Sequence, residues 1–423
     1  MRTQKYTKHV TSLYYFDPED IVMQNFQLYN PVHVVFGAGE VKNLTQHING
    51  LGKKALLVSY EDITFLAGLL SDIQADLQKN AVSCIEYFHV QANPLLCHIQ
   101  QAAQICKEQN VDFVIGVGGG SVMDSAKVIA AGALYPDNIW NMFVSRHDRE
   151  VAVAPQKSLP TVMIPTLPAT SSEMNCIAVA TNEATREKAY VSAPVLYPTI
   201  SIIDPQLTCS LPKYQTAVGA VDAMSHVLEA YFNGDQNSPL QDRLHEGILI
   251  TIMNELREIL KNPSDVEHRA NMQWAASLAW NGYLQSGLNA TTPMHQMGHV
   301  LSARHNTVHG VTLAIFMDAF FRYMCTLNAE RTSRFALLGE NIFGLSRKDR
   351  SDFDVARQTV QCFINFMDEV GVEHTLSSAG IPADDIERIA DEIIAHGCDA
   401  DGLLPSIPKI GRDGILTVLH MAE

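Results

Sequence analysis

The stretch Val111-Asp-Phe-Val-Ile-Gly116-Val-Gly118-Gly119-Gly120-Ser121-Val-Met-Asp124-Ser125-Ala-Lys127 decides the fold. A short apolar run rich in β-branched residues ends in three consecutive glycines and leads directly towards a helical pattern, Val128 to Leu134. Glycines at a strand-to-helix turn let backbone N–H groups approach a pyrophosphate, and the helix N-terminus adds the positive end of its dipole. Ser121 is placed to cap the helix or to donate to a phosphate. The spacing is neither G-x-G-x-x-G nor a Walker A loop. A tight turn that needs positive φ is the alternative reading of the glycines when they stand alone. Their surroundings decide between the two readings.

Outward from this turn, strands and helices alternate. Pro31-Val-His-Val-Val-Phe36 is a β-rich run closed by Gly37 and Gly39, Lys54 to Ser59 is a buried-strand pattern, and Val82 to Val90 and Leu159 to Ile164 are further strands. Helical spacing occupies Phe65 to Gln78 and Leu95 to Gln109. Such alternation predicts an α/β domain with a parallel, Rossmann-like, doubly wound sheet that binds ligands at the carboxyl ends of its strands. The loop Pro165-Thr166-Leu-Pro168-Ala169-Thr170-Ser171-Ser172-Glu173 follows one strand. Its hydroxyls can hydrogen-bond ribose, phosphate or amide groups without adding charge, although Ser and Thr are common in loops for local reasons. Lys188 can reach a cofactor ribose or lie solvated on the surface. Asn93-Pro94, Trp140-Asn141-Met-Phe143 and Trp280-Asn281 are candidates for a cleft wall, a place where aromatic residues are more often core.

Composition excludes several classes. A length of 423 residues exceeds what one hydrophobic core usually supports. A net charge of -16 argues against nucleic acid or an anionic membrane as partner. Eight cysteines without a CxxC pair point to free thiols in a reducing compartment, and no run approaches a membrane span, so a cytoplasmic enzyme is expected. Residues 1–28 read as an N-terminal extension, 29–205 as the dinucleotide-binding domain. Past Asp204-Pro205 strand signals fade, and 206–423 reads as an all-helical bundle with helices over Ala217–Phe232, Gln241–Leu260 and Val266–Leu284.

The helical half carries the second chemical signal. His295, His299, His305 and His309 fall within fifteen residues, and His295 and His299 are four apart, on one helical face. Met294, Met297, Val300 and Leu301 indicate a packed helix, so the imidazoles face a protected cavity, where they need partners or a metal. Earlier, Asp222 and His226 share one face of an apolar helix. Alone they read as a helical Asp–His pair. Beside His295 and His309 they complete an N/O ligand set for Fe(II), Zn(II), Co(II) or Ni(II).

In this order, Gly118-Gly-Gly-Ser121-x-x-Asp124, Pro165-Thr166…Ser172-Glu173, Asp222-x-x-x-His226, His295-x-x-x-His299 and His309 resemble the iron-dependent (group III) alcohol dehydrogenases from about residue 25 to the C-terminus. Gln241-Asp242-Arg243…Glu246-Gly247 and Arg269-Ala-Asn271…Trp274-Ala275 are similar to the branch of butanol dehydrogenases and broad-specificity aldehyde reductases. The resemblance implies metal ligands at Asp222, His226, His295 and His309, with His299 and His305 lining the site near a nicotinamide. It implies a divalent metal, Fe(2+) or Zn(2+), that polarises the substrate oxygen of a primary alcohol or aldehyde while NAD or NADP exchanges the hydride. His299 is the candidate proton carrier, with His305 or the cofactor ribose as relay. Cofactor contacts are expected at Glu61, Asn93, Gly118, Gly119, Gly120, Ser121, Asp124, Thr166, Thr170, Ser172 and Lys188, and a homodimer is the expected assembly. The pattern departs from the family at Leu167-Pro168-Ala169, usually Thr, Ala and Gly. It departs again at Ser59-Tyr60-Glu61-Asp62, where the NADP-using reductases tend to be Gly/Ser-rich. An acid there accepts hydrogen bonds from a free 2′-hydroxyl and repels a 2′-phosphate, which favours NAD, with Lys188 as an offset that keeps NADP open. A lyase of the dehydroquinate synthase type shares the architecture but usually has Glu as its acidic ligand. A non-catalytic binder of nucleotide and metal is the other alternative, and all four ligands stand here.

Overall fold

The computed structural model describes residues 24–144, 152–234 and 238–423. Most of the expected N-terminal extension lies outside them. The first half forms β1 (His33–Phe36), α1 (Leu44–His47), β2 (Lys54–Tyr60), α2 (Ala67–Lys79), β3 (Ser83–Val90), α3 (Leu96–Gln109), β4 (Phe113–Gly118), α4 (Gly120–Gly132), β5 (Thr161–Pro165), β6 (Ile177–Asn182), β7 (Glu187–Ser192) and β8 (Ile200–Ile203). One sheet runs in the order β1-β8-β5-β4-β2-β3, with every neighbouring pair parallel. Its central strands are buried on both faces, which is why they read as continuous apolar runs. Successive side chains serve opposite layers. Ala55 and Leu57 pack with Leu44, Leu70 and Ile73 of α1 and α2, whereas Leu56 and Val58 pack with Ile99, Met123 and Ala126 of α3 and α4. The strand order reverses between β2 and β4, so a crevice opens where Tyr60 and Gly118 end their strands.

Two elements differ from the sequence expectation. The helix after the glycines starts at Gly120, not Val128; its first turns hold Ser121, Asp124, Ser125 and Lys127, which break the apolar run that marks the rest of the helix, although Ser125 and Lys127 are buried. β6 and β7 form an antiparallel hairpin apart from the main sheet, and β7 packs on the helical half. Glu187 and Lys188 obscure its apolar alternation, which continues at Ala189 and Val191.

The second half is helical: α5 (Lys213–Asn233), α6 (Pro239–Lys261), α7 (Val266–Ala279), α8 (Pro293–His305), α9 (His309–Met324), α10 (Ala329–Phe343), α11 (Asp352–Val370), α12 (Ile386–His396) and α13 (Arg412–Met421). From Thr216 to Asn233, α5 is buried on every face and is packed by α6, α7 and α9. The third helix of this half stops at Ala279, short of the expected Leu284. Trp280 is drawn out of it, its N–H donating to Ser171 Oγ (2.8 Å) and its carbonyl accepting from Asn175 (3.2 Å). Ser171 Oγ also donates to Ala276 O (2.6 Å), Ser277 to Glu173, and Asn30 to both Met174 O (2.8 Å) and Asn281 O (3.0 Å). These buried bonds fix the two halves against each other.

After α11, His374 is clamped between Asp318 (2.7 Å) and Asp368 (3.0 Å), and these carboxylates raise its pKa to about 9. A histidine raised on folding stabilises the native state below its unfolded pKa, and that stability is lost as pH rises through the folded value. His374→Gln is therefore expected to lower the melting temperature at pH 6, and the gap from wild type should close between about pH 7 and 10. A gap that is constant with pH would contradict this.

Candidate metal and cofactor site

Asp222 and His226 lie one turn apart on α5, where both are buried, His295 opens α8, and His309 opens α9. Asp222, His295 and His309 bring one ligand atom each within 4.8 Å of one another. His226 Nδ1 is 2.9 Å from the Asp222 carbonyl, which can only accept, so Nδ1 carries the proton and Nε2 a lone pair. His295 Nδ1 likewise donates to the Glu229 carboxylate. The two Nε2 atoms then face each other at 3.1 Å, lone pair to lone pair. Asp222 Oδ1, 3.3 Å from the His226 Nδ1 that already donates to a carbonyl, and His309 Nδ1 are buried with no hydrogen-bond partner among the described residues. Converging lone pairs and a buried carboxylate with little compensation call for a cation, and three imidazoles with one carboxylate suit a divalent transition metal. Burial holds His226, His299 and His309 well below the usual histidine range and His295 down to about 3, so all are neutral, the ligand form. Burial also raises Asp222 to about 7, against the pull of Lys188.

Glu229, one turn beyond His226, is the participant that sequence reading missed. It is fully buried. Besides His295 Nδ1 it accepts the backbone N–H of Met294 (2.5 Å) and of His295 (3.2 Å). It thus fixes the tautomer and angle of one ligand and caps α8 from another helix, 66 residues away in sequence. A Glu at helical spacing from Asp222 and His226 was the available signal; its partner was not readable.

At the sheet's switch point the cofactor candidates divide into groups. Gly118, Gly119 and Gly120 lie between Tyr60 and the hydroxyl loop: Thr166 N donates to Gly118 O (3.0 Å), Gly119 N to Tyr60 Oη (2.9 Å), and a Cβ on Gly120 would sit 2.6 Å from Thr170 Cγ2. No larger residue fits there. Ser121 is the second helical residue, with Gly119 in the cap position, and its hydroxyl donates to Ala92 O. Asp124 turns towards the protein and accepts from Ser172 Oγ (2.6 Å) and Val179 N (2.9 Å), which ties α4 to the loop and hairpin. Glu61, just past the end of β2, is exposed and accepts from Gln91 (3.3 Å). Lys188 is a half-buried strand residue rather than solvated surface. Its amine reaches Asn93 (3.1 Å), Asn93 reaches Asn306 beside α8 (2.8 Å), and burial lowers the Lys188 pKa to about 8. His299 lies 5.6 Å, ring to ring, from His309. His305 is held against Asp385 (3.0 Å). Of the proposed wall residues, Trp140 stacks on Phe143 in the core, while Trp280 lies 5.8 Å from His226.

Residues 31–205 match the family described as iron-containing alcohol dehydrogenase, and residues 216–422 match the C-terminal region of the Fe-containing alcohol dehydrogenase family. The chain belongs to the iron-containing alcohol dehydrogenase family. It is 33% identical to a probable NADH-dependent butanol dehydrogenase 1 of Bacillus subtilis, over 94% of this chain and 99% of the relative. It is 32% identical to the NADPH-dependent aldehyde reductase YqhD of Escherichia coli, over 89% and 94%. The crystal structure of NADH-dependent butanol dehydrogenase A from Thermotoga maritima superposes with a TM-score of 0.86 at 35% identity, covering 95% of this chain and 99% of that one. These matches place the chain among the iron-containing alcohol dehydrogenases and not with dehydroquinate synthase-type lyases. Where that family usually has Thr, Leu167 packs between the close-approach glycines, 3.4 Å from a Cβ built on Gly119 and 3.3 Å from one on Gly219.

Glu229→Gln is expected to weaken Zn(II) affinity 10- to 100-fold in competition with a chromophoric chelator, because an amide no longer holds His295 as a carboxylate does. An unchanged affinity in a folded variant would rule out this orienting role.

Proposed function

We propose that the chain is a metal-dependent oxidoreductase that moves a hydride between NAD(H) and a primary alcohol or aldehyde. One observation carries the reading: neutral His226, His295 and His309 and the Asp222 carboxylate converge beside a narrow cleft that runs between His295 and His299 on one wall and Lys188 on the other. In this reading residues 29–205 hold the cofactor and 206–423 hold the metal, with Fe(2+) or Zn(2+) the matching ions. The nicotinamide supplies the hydride, and the cation stabilises negative charge on the substrate oxygen.

The chain's own residues position and exclude. Gly120 and Ser121 at the start of α4 offer backbone N–H groups to a pyrophosphate, and Lys188, steadied by Asn93, faces the ribose side. His299 makes no protein hydrogen bond among the described residues and lines the cleft beside His295, which makes it the group placed to exchange the alcohol proton, while burial, which holds its pKa well below the usual range, makes it a weak base there. His305, paired with Asp385, is suited to steadying the end of α8 more than to relaying that proton. Glu61, exposed at the switch point, supports NAD over NADP. All eight cysteines are free, which supports a cytoplasmic setting, and no helix of the described residues is long and apolar enough to cross a membrane. A homodimer is supported by exposed Tyr29, Phe36 and Trp274 around the edge strand β1.

Chelation should abolish turnover, Fe(II) or Zn(II) should restore it, and His295→Ala should lose bound metal and turnover together; turnover that survives metal stripping would refute the reading. For the cofactor, wild type should prefer NADH by tenfold or more in kcat/KM, and Glu61→Ser should shrink that ratio. An NADPH preference of tenfold overturns the assignment.

A further inference from the structure

Tyr60 stands in a segment where the sequence departs from the family pattern, and its phenol lies directly on the glycine turn. It ends β2 at the switch point, half-buried, with its ring against apolar side chains of both layers and 5.8 Å from the ring of Phe65. From there the ring crosses the turn: a Cβ built on Gly118 would lie 3.1 Å from Tyr60 Cε2, and one built on Gly119 would lie 2.8 Å from Tyr60 Oη. Leu167 covers Gly119 as well, 3.4 Å from the same built Cβ. The close approach that these two glycines permit is therefore taken up by the chain's own side chains. Gly119 N already donates to Tyr60 Oη (2.9 Å), and a ring packed on two apolar layers is not free to swing away. A phosphate arriving at the turn finds that amide spent.

It finds a phenolic proton in its place. A tyrosine hydroxyl can accept and donate at once. Tyr60 Oη accepts from Gly119 and donates to no group among the described residues. The amide bond polarises it, and an O–H directed at a phosphate makes a short, charge-assisted hydrogen bond. Ser121, the side-chain donor expected at this turn, gives its proton to Ala92 O instead. Gly120 and Ser121 open α4, and their backbone N–H groups have no partner within the helix. We infer that Tyr60 is a cofactor-binding residue whose phenolic O–H replaces the Gly119 amide and donates to the pyrophosphate of the dinucleotide. Such a contact holds the cofactor and leaves the hydride step itself unchanged.

This inference rests on the dinucleotide reading above, and binding measured without turnover separates the two. Wild type and variants are titrated calorimetrically with ADP-ribose, NADH and adenosine. Tyr60→Phe keeps the ring and removes the O–H, so Kd for ADP-ribose and for NADH should rise about tenfold, the usual worth of a hydrogen bond to a charged group, while adenosine, which has no phosphate, should bind unchanged. Tyr60→Ala removes the ring with the hydroxyl and opens Gly119 N–H to the ligand, so it should bind ADP-ribose more tightly than Tyr60→Phe does. In turnover of a primary alcohol, Tyr60→Phe should raise KM for NAD in the same proportion and leave kcat as it is. Equal ADP-ribose affinity in wild type and Tyr60→Phe, tighter binding by Tyr60→Phe, or an equal loss for adenosine overturns the inference and leaves the dehydrogenase reading standing. No binding of ADP-ribose or NADH by wild type overturns both.

Discussion

The arrangement depends on two imidazole nitrogens that face each other at 3.1 Å, each with its other nitrogen committed to an acceptor. In water such a contact would relax by rotation or protonation. Here α5 is buried on all sides, burial disfavours the imidazolium form of both rings, and Glu229 and the Asp222 carbonyl hold the rings in place. Repulsion between lone pairs is thus built into the fold and relieved by a cation. The chain devotes its most buried helix to it, and Glu229 adds a further buried carboxylate whose only compensation is His295 and the first amides of α8.

Cofactor chemistry needs that centre at a fixed place relative to the sheet. The joint between the halves provides this through short bonds that cross it: Ser171 to Ala276, Ser277 to Glu173, Asn30 to Met174 and Asn281. The loop that carries Thr170 against the glycine turn therefore also carries the joint. A ligand lying on Gly119 and Gly120 would be registered to Asp222, His226, His295 and His309 through that loop, with the Asn93–Asn306 bond as a second tie across the cleft.

Much of this was legible in the sequence because its period is short. Asp222 and His226, or His295 and His299, share a helical face by spacing alone, and continuous apolar strands before glycines announce a parallel sheet. What escaped depends on contacts between distant segments. Glu229 looked like one more helix residue until α8 was laid against it. Asp124 and Ser172, read as cofactor groups, spend their polar atoms on each other. His305 is ten residues from His295, about 80° round the helix from it, so its density in the His-rich stretch did not put it in the cluster. The β6–β7 hairpin hid behind its charged residues, and with it the burial of Lys188.

The most direct test of this account is X-ray absorption at the metal edge of the Fe(II)- or Zn(II)-reconstituted enzyme, with metal content per chain measured on the same sample. The account predicts one ion per chain bound by three imidazole nitrogens and one carboxylate oxygen. An ion with fewer than three imidazoles, or one whose coordination is unchanged when His295 and His309 are both replaced by Ala, would contradict it.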